Sequence, residues 1–154
     1  MTDSHASNDL VGTWRLLEWT ATIDGRAARP FGGETTGLIT YTADGRMWGT
    51  LMRVDRNNVD APTLASATVE ERSRAAAGYL NYAGTYRVEP GKVVHVVELS
   101  LYPNWLGGEQ IRDVDWVVGP NDTGDLILSA LDHHPDGTEV FNRLHWRRIE
   151  NWVD

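Results

Sequence analysis

The sequence predicts an all-β protein, an eight-stranded antiparallel up-and-down barrel with one short helix between its third and fourth strands. Turn-forming clusters carry the first part of this prediction: IDGR, ADGR, EPGK, GPNDTGD and HPDGT each place Gly, Pro, Asn or Asp where φ must be positive or fixed. Between them lie short segments in which apolar and polar residues alternate, the pattern of half-buried strands in hairpin order. Seven tryptophans and five tyrosines in 154 residues add a third observation, because such rings line cavities and interfaces where an apolar body needs its polar tip satisfied.

Taken in order, strands are expected at about 10–22, 37–43, 46–54, 82–89, 93–102, 109–118, 125–132 and 138–149. Residues 1–8 read as a disordered tail, 54–66 as a loop, and 9–154 as a single domain. The helix is expected in TVEERSRAAAGYL, where Thr68 and Glu71 are spaced as a capping box, the alanines favour helix, and Val69, Ala76 and Leu80 fall on one stripe. It would plug or flank the barrel. Strand alternation assigns the faces. Tyr82, Gly84, Tyr86 and Val88 are set inward, as are Arg112, Val114 and Trp116, whose neighbours Asp113 and Asp115 face water. Leu126, Leu128 and Ala130 share one face, and so do Leu144, Trp146 and Arg148. The segment VVHVVELSLYPNW resists this sorting, being apolar on both sides while carrying His95 and Glu98, so both its faces are expected to be covered, one by the cavity and the other by the helix or a second subunit.

A formal charge of −8 with no basic cluster argues against nucleic acid or an anionic membrane as partner. The absence of cysteine removes disulfides, thiolate chemistry and Cys-based metal sites. No segment reads as a signal peptide or membrane span, and a cytoplasmic location is expected. There is no G-x-S-x-G, P-loop, H-E-x-x-H or G-x-G-x-x-G, so hydrolase, phosphoryl-transfer and nicotinamide chemistry have no motif, and no cofactor is expected. His133 and His134 are adjacent and have no carboxylate at a ligand spacing; they read as a solvated turn, and no metal is expected.

The motifs LVGTWRL, GLITYTADGRM, YAGTYRV, VVHVVELSLYPNW and LHWRRI, in this order, resemble the bacterial lipocalin-like domain family over roughly residues 9–149. The resemblance implies a calycin-type barrel with a ligand cavity, its floor formed by Gly12 and Trp14 with Arg148 across the tryptophan. It implies no particular reaction, since such barrels serve as carriers and as cyclases or isomerases. The helix ahead of the fourth strand departs from the secreted lipocalins, whose helix follows the last strand.

Glu98 and Arg112 fall on adjacent strands and are both set inside, where they would either orient a polar ligand or form a structural ion pair. His95 alternates away from Glu98. A β-bulge would bring the two together as acid and base; without one His95 is a packing residue. Tyr86 joins these three as a candidate catalytic group, its hydroxyl suited to polarising a carbonyl. Tyr41, Trp48, Tyr82 and Trp116 would hold an apolar ligand in one conformation or simply fill the barrel, while Asn104 and Trp105 in the rim turn would gate its mouth. These residues together suggest a cofactor-independent cyclase or isomerase acting on an apolar oxygenated natural product. The alternatives are a carrier of an apolar small ligand and a filled barrel that forms a homodimer.

Overall fold

The structure, a computed structural model, describes residues 9–118 and 124–149; the expected tail at 1–8 and the centre of the GPNDTGD turn lie outside them. Its strands are β1 (Gly12–Ile23), β2 (Arg26–Ala28), β3 (Thr35–Tyr41), β4 (Arg46–Arg53), β5 (Tyr79–Glu89), β6 (Lys92–Ser100), β7 (Glu109–Val118), β8 (Gly124–His133) and β9 (Glu139–Arg148). Each pairs antiparallel with its neighbour, and β1 meets β9, with Trp14 opposite Arg148 and Ile23 opposite Val140. Eight strands therefore close a barrel without free edges. The three-residue β2, which the sequence reading did not include, folds back from the end of β1 through Asp24 and Gly25, both at positive φ.

Helix α1 (Val69–Ala77) stands in the β4–β5 connection, its capping box formed by Thr68 and Glu71. It is shorter than the periodicity suggested. Gly78 ends it, Leu80 belongs to β5, and Val69 is 77% exposed, so the expected apolar stripe is not buried. The buried helical residue is Glu71, whose carboxylate accepts from the backbone N–H groups of Thr68 and Asp60 and ties the 54–66 loop to the helix start. Arg56 does the same at the other end, donating to the carbonyls of Ala75 and Gly78.

Two bulges decide which side chains enter the barrel. In β1 the register with β9 slips between Leu16 and Glu18, so Trp14 and Leu16 point inward before the slip and Trp19 and Ala21 after it. In β6 the register with β5 slips where Glu98 has no partner, Ala83 pairing with Leu99 and Gly84 with Val97. Gly84 is the reason the strands pack this way: a Cβ there would fall within the contact radius of the Val96 carbonyl oxygen.

The outer face of β6 is partly covered by side chains of the strands on either side of it. Register places Arg87 of β5 opposite Val94 and Glu109 of β7 opposite Val96. The Arg87 guanidinium reaches both Glu109 oxygens, at 2.6 and 3.2 Å, so one forked ion pair spans β6 from neighbour to neighbour, and Val94 is fully buried. Towards its end, at Glu98 and Leu99, the same strand is exposed.

One end of the barrel is sealed. Trp14 is fully buried and donates through Nε1 to the Leu10 carbonyl at 2.9 Å. Arg148 lies over its ring, 4.2 Å from the centroid, and donates to the carbonyls of Val11 and Asp9. Gly12 has φ +136° and sits against that guanidinium, which leaves no room for a Cβ. The floor is thus the one the resemblance implied.

Candidate functional site

Above the floor the barrel is hollow. A cavity of about 480 Å³ runs to the opposite end, walled by Ile39, Leu51, Leu128, Leu144 and Trp146 and opening between Trp105, Asp132 and His134. Its size is that of a small-molecule site. It stays open partly because β4 contributes Gly49 and β8 contributes Ala130 to its wall.

Polar groups are few and placed at two levels. At the mouth, Trp19 Nε1 donates to Asn142 Oδ1 at 3.0 Å, and Asn142 Nδ2 donates to Asp132 at 3.1 Å. Trp19 also stands edge-on to Phe31, 5.0 Å between centroids, and Trp105 stands edge-on to Tyr82 at 5.5 Å. Deeper, Arg112 lines the wall, donating to the Ile111 carbonyl and to Gln110 Oε1 at 2.9 and 3.0 Å; among the described residues no carboxylate lies within 4.0 Å of it. Trp146 lines the same cavity, and its buried Nε1–H has no hydrogen-bond partner among the described residues. An orphaned buried donor costs about 1–3 kcal/mol.

Beside the cavity stands a three-ring network. His95 is fully buried, with Nε2 2.8 Å from the Tyr41 hydroxyl and Nδ1 2.8 Å from the Tyr82 hydroxyl. Burial, and then the positive charge of Arg112, push its pKa down to about 3, so the imidazole is neutral at neutral pH. Tyr41 and Tyr82 are held above the ordinary phenol range, burial being the main cause, and both remain protonated.

The candidate residues therefore separate into three groups. Tyr82, Trp105 and Arg112 line the cavity, with His95 and Tyr41 packed behind Tyr82. Tyr86 and Trp116 belong to the sealed end. The Tyr86 hydroxyl donates to the Thr42 carbonyl at 2.8 Å, and Trp116 packs on Trp14 with centroids 5.8 Å apart. Glu98, Trp48 and Asn104 are outside. The bulge that would have joined Glu98 to His95 is present, but it turns the carboxylate to solvent, 3.8 Å from Arg46. Trp48 is 46% exposed because β4 turns Met47 and Gly49 inward, and Asn104 donates to the Tyr102 hydroxyl on the rim surface. His133 pairs with Glu139 at 3.3 Å, while His134 reaches the cavity mouth.

Several lining residues were missed. The alternation that set Arg112 inward, and that gave Ala130 and Trp146 their shared faces, places Gln110, Asp132 and Asn142 on those same faces when carried two or four residues further, so these were within reach of the sequence. Trp19 was not, since its direction depends on the β1 bulge.

A model of the lipocalin-like domain matches residues 11–149, nearly the whole barrel. The chain belongs to the lipocalin-like domain family. This lipocalin-like domain is also similar to a protein of Aspergillus oryzae described as a 4'-hydroxy-3'-methoxypropiophenone carrier protein, with 32% identity over 111 residues that cover 64% of this chain and 93% of that protein. No helix among the described residues is long and apolar enough to cross a membrane.

Proposed function

We propose that this lipocalin-like domain is a carrier for an oxygenated aromatic small molecule, held in the barrel cavity. The single observation that carries the reading is a hollow, mostly apolar barrel interior in which a guanidinium remains available to a guest. The apolar wall contributes affinity through surface removed from water, and the few polar groups orient the guest. The similarity to a propiophenone carrier supports an aryl ketone or related phenol as the ligand class. A cyclase or isomerase receives less support. Glu98 lies outside the barrel, Tyr86 is bound to a backbone carbonyl, and His95 is neutral with both ring nitrogens engaged, which leaves no proton-transfer group of that set poised in the cavity.

The experiment is a titration with 4'-hydroxy-3'-methoxypropiophenone followed by thermal unfolding. A ligand bound only by the folded barrel stabilises it by about 2.7 kcal/mol at a hundredfold excess over Kd, so the melting midpoint should climb steadily with ligand concentration. A midpoint independent of concentration up to the solubility limit contradicts the reading for this ligand class.

A further inference from the structure

The hydrogen-bond logic of the three-ring network determines which way the Tyr82 hydroxyl points. The Tyr41 hydroxyl is buried, and among the described residues its one partner is His95 Nε2. A phenol must donate its proton somewhere, and a neutral imidazole has one acceptor nitrogen and one donor nitrogen. Were Nε2 protonated, it would donate to Tyr41 and leave the Tyr41 O–H buried without an acceptor. Tyr41 therefore donates to Nε2, the imidazole proton lies on Nδ1, and Nδ1–H donates to the Tyr82 oxygen. The Tyr82 O–H is then left over. Tyr82 lines the cavity and has no other hydrogen bond among the described residues, so its proton is offered to the guest.

Arg112 lines the same cavity as Tyr82 and stands close enough for its positive charge to act on the hydroxyl. Two of its five N–H donors go to neutral oxygens, and Glu98, the carboxylate expected to neutralise it, is outside the barrel. The guanidinium and the Tyr82 O–H thus present donors to one cavity, and the guanidinium brings an uncompensated positive charge. The mouth has the opposite character, with the Asp132 carboxylate set there.

We infer that Arg112 and Tyr82 form an oxyanion seat inside the barrel, and that the preferred guest carries an ionised oxygen, a phenolate or a carboxylate, on an aromatic body. His95 and Tyr41 are positioning residues for this seat: they hold the Tyr82 hydroxyl in its donating orientation and touch no ligand. The inference rests on the carrier reading and adds to it the charge state of the guest. A neutral guest would accept hydrogen bonds but leave the guanidinium without a counter-charge in a low-dielectric site; an ionised oxygen satisfies both.

Two probe arms test the seat and tell the sources of the charge apart. In the first, 4'-hydroxyacetophenone is titrated with alkali free and bound, following the red-shifted absorption of its phenolate; the bound phenol should ionise about 1–3 pH units lower than the free one, the shift an opposite charge in contact produces. In the second, the affinities of 4-methoxybenzoate and of 4'-methoxyacetophenone, its neutral methyl ketone counterpart, are compared by calorimetry; the carboxylate should bind at least tenfold more tightly. Both preferences should vanish in Arg112→Met, persist in part in Arg112→Lys, which keeps the charge without the fork, and weaken in Tyr82→Phe. The His95 tautomer is read independently from two-bond ¹H–¹⁵N correlations of the wild-type imidazole, with Nδ1–H expected. Equal affinity for the charged and neutral probes, an unshifted bound phenol, or an Nε2–H tautomer overturns the seat while leaving the carrier reading intact. Failure of every aromatic probe to bind wild type overturns both. Should Arg112→Met not fold, the wild-type phenol shift and the tautomer still decide.

Discussion

Gly84 of β5 lies against the Val96 carbonyl of β6 so closely that a methyl group at position 84 would enter the oxygen's contact radius. The bulge at Glu98 follows directly after this approach, so the glycine and the outward turn of Glu98 belong to one local packing solution. Gly84→Ala should cost about 1–3 kcal/mol in urea unfolding, as overpacking of a tight contact does. A loss below about 0.5 kcal/mol would mean that the strand pair relaxes without the bulge.

Neutral buried His95 makes stability depend on pH. Its pKa is about 3 folded against an ordinary 6.5 unfolded, so between these values the unfolded chain holds the extra proton. The stabilisation is fully present above the unfolded pKa and is lost as pH falls towards the folded one, at about 1.4 kcal/mol per pH unit. Urea melts at pH 6.5 and pH 5.0 should differ by about 2 kcal/mol in wild type and by much less in His95→Gln. Equal slopes in the two proteins would mean that the His95 pKa is the same in the folded and unfolded chains.

Glu98→Gln should be nearly silent, changing stability by less than about 0.5 kcal/mol, because the Arg46–Glu98 pair is long and more than half exposed. A loss of about 3 kcal/mol or more would place Glu98 against a buried charge, contrary to its observed position.

Trp14→Ala should destabilise by about 3–5 kcal/mol. It removes a fully buried indole, its hydrogen bond to Leu10 and the surface on which Arg148 rests, at a site hemmed in by Arg148 and Trp116. A loss under 1 kcal/mol would remove Trp14 from the core.

The barrel was legible in the sequence because local chemistry specifies its turns and strands: turn residues at each hairpin, period-two alternation between them, and Thr68 and Glu71 at the helix start. The floor was legible through Gly12, Trp14 and Arg148, which meet as the resemblance implied. The site was legible only where alternation runs unbroken. Tyr82, Arg112 and Trp146 sit on regular stretches and point where counting put them, whereas Glu98 and Trp19 sit at or beyond bulges that counting along one strand does not reveal. The Glu98 bulge arises between strands, from Gly84 beneath Val96, and Trp19 follows a slip against β9, more than a hundred residues away. Helix length failed for a different reason: the stripe of Val69, Ala76 and Leu80 suggested burial, but α1 is anchored by its polar cap and ends at Gly78.

That the hollow interior of the barrel is the binding site is tested most directly by filling it. Ala130 lies on the cavity wall of β8, and a phenylalanine there would project into the open volume. Calorimetric titration of 4'-hydroxy-3'-methoxypropiophenone into wild type and Ala130→Phe, each first shown to unfold cooperatively, gives the comparison. Saturable one-to-one binding to wild type that weakens at least tenfold, about 1.4 kcal/mol, in the filled variant is the predicted result. Equal affinity in the two proteins would place the ligand outside the barrel and contradict the account.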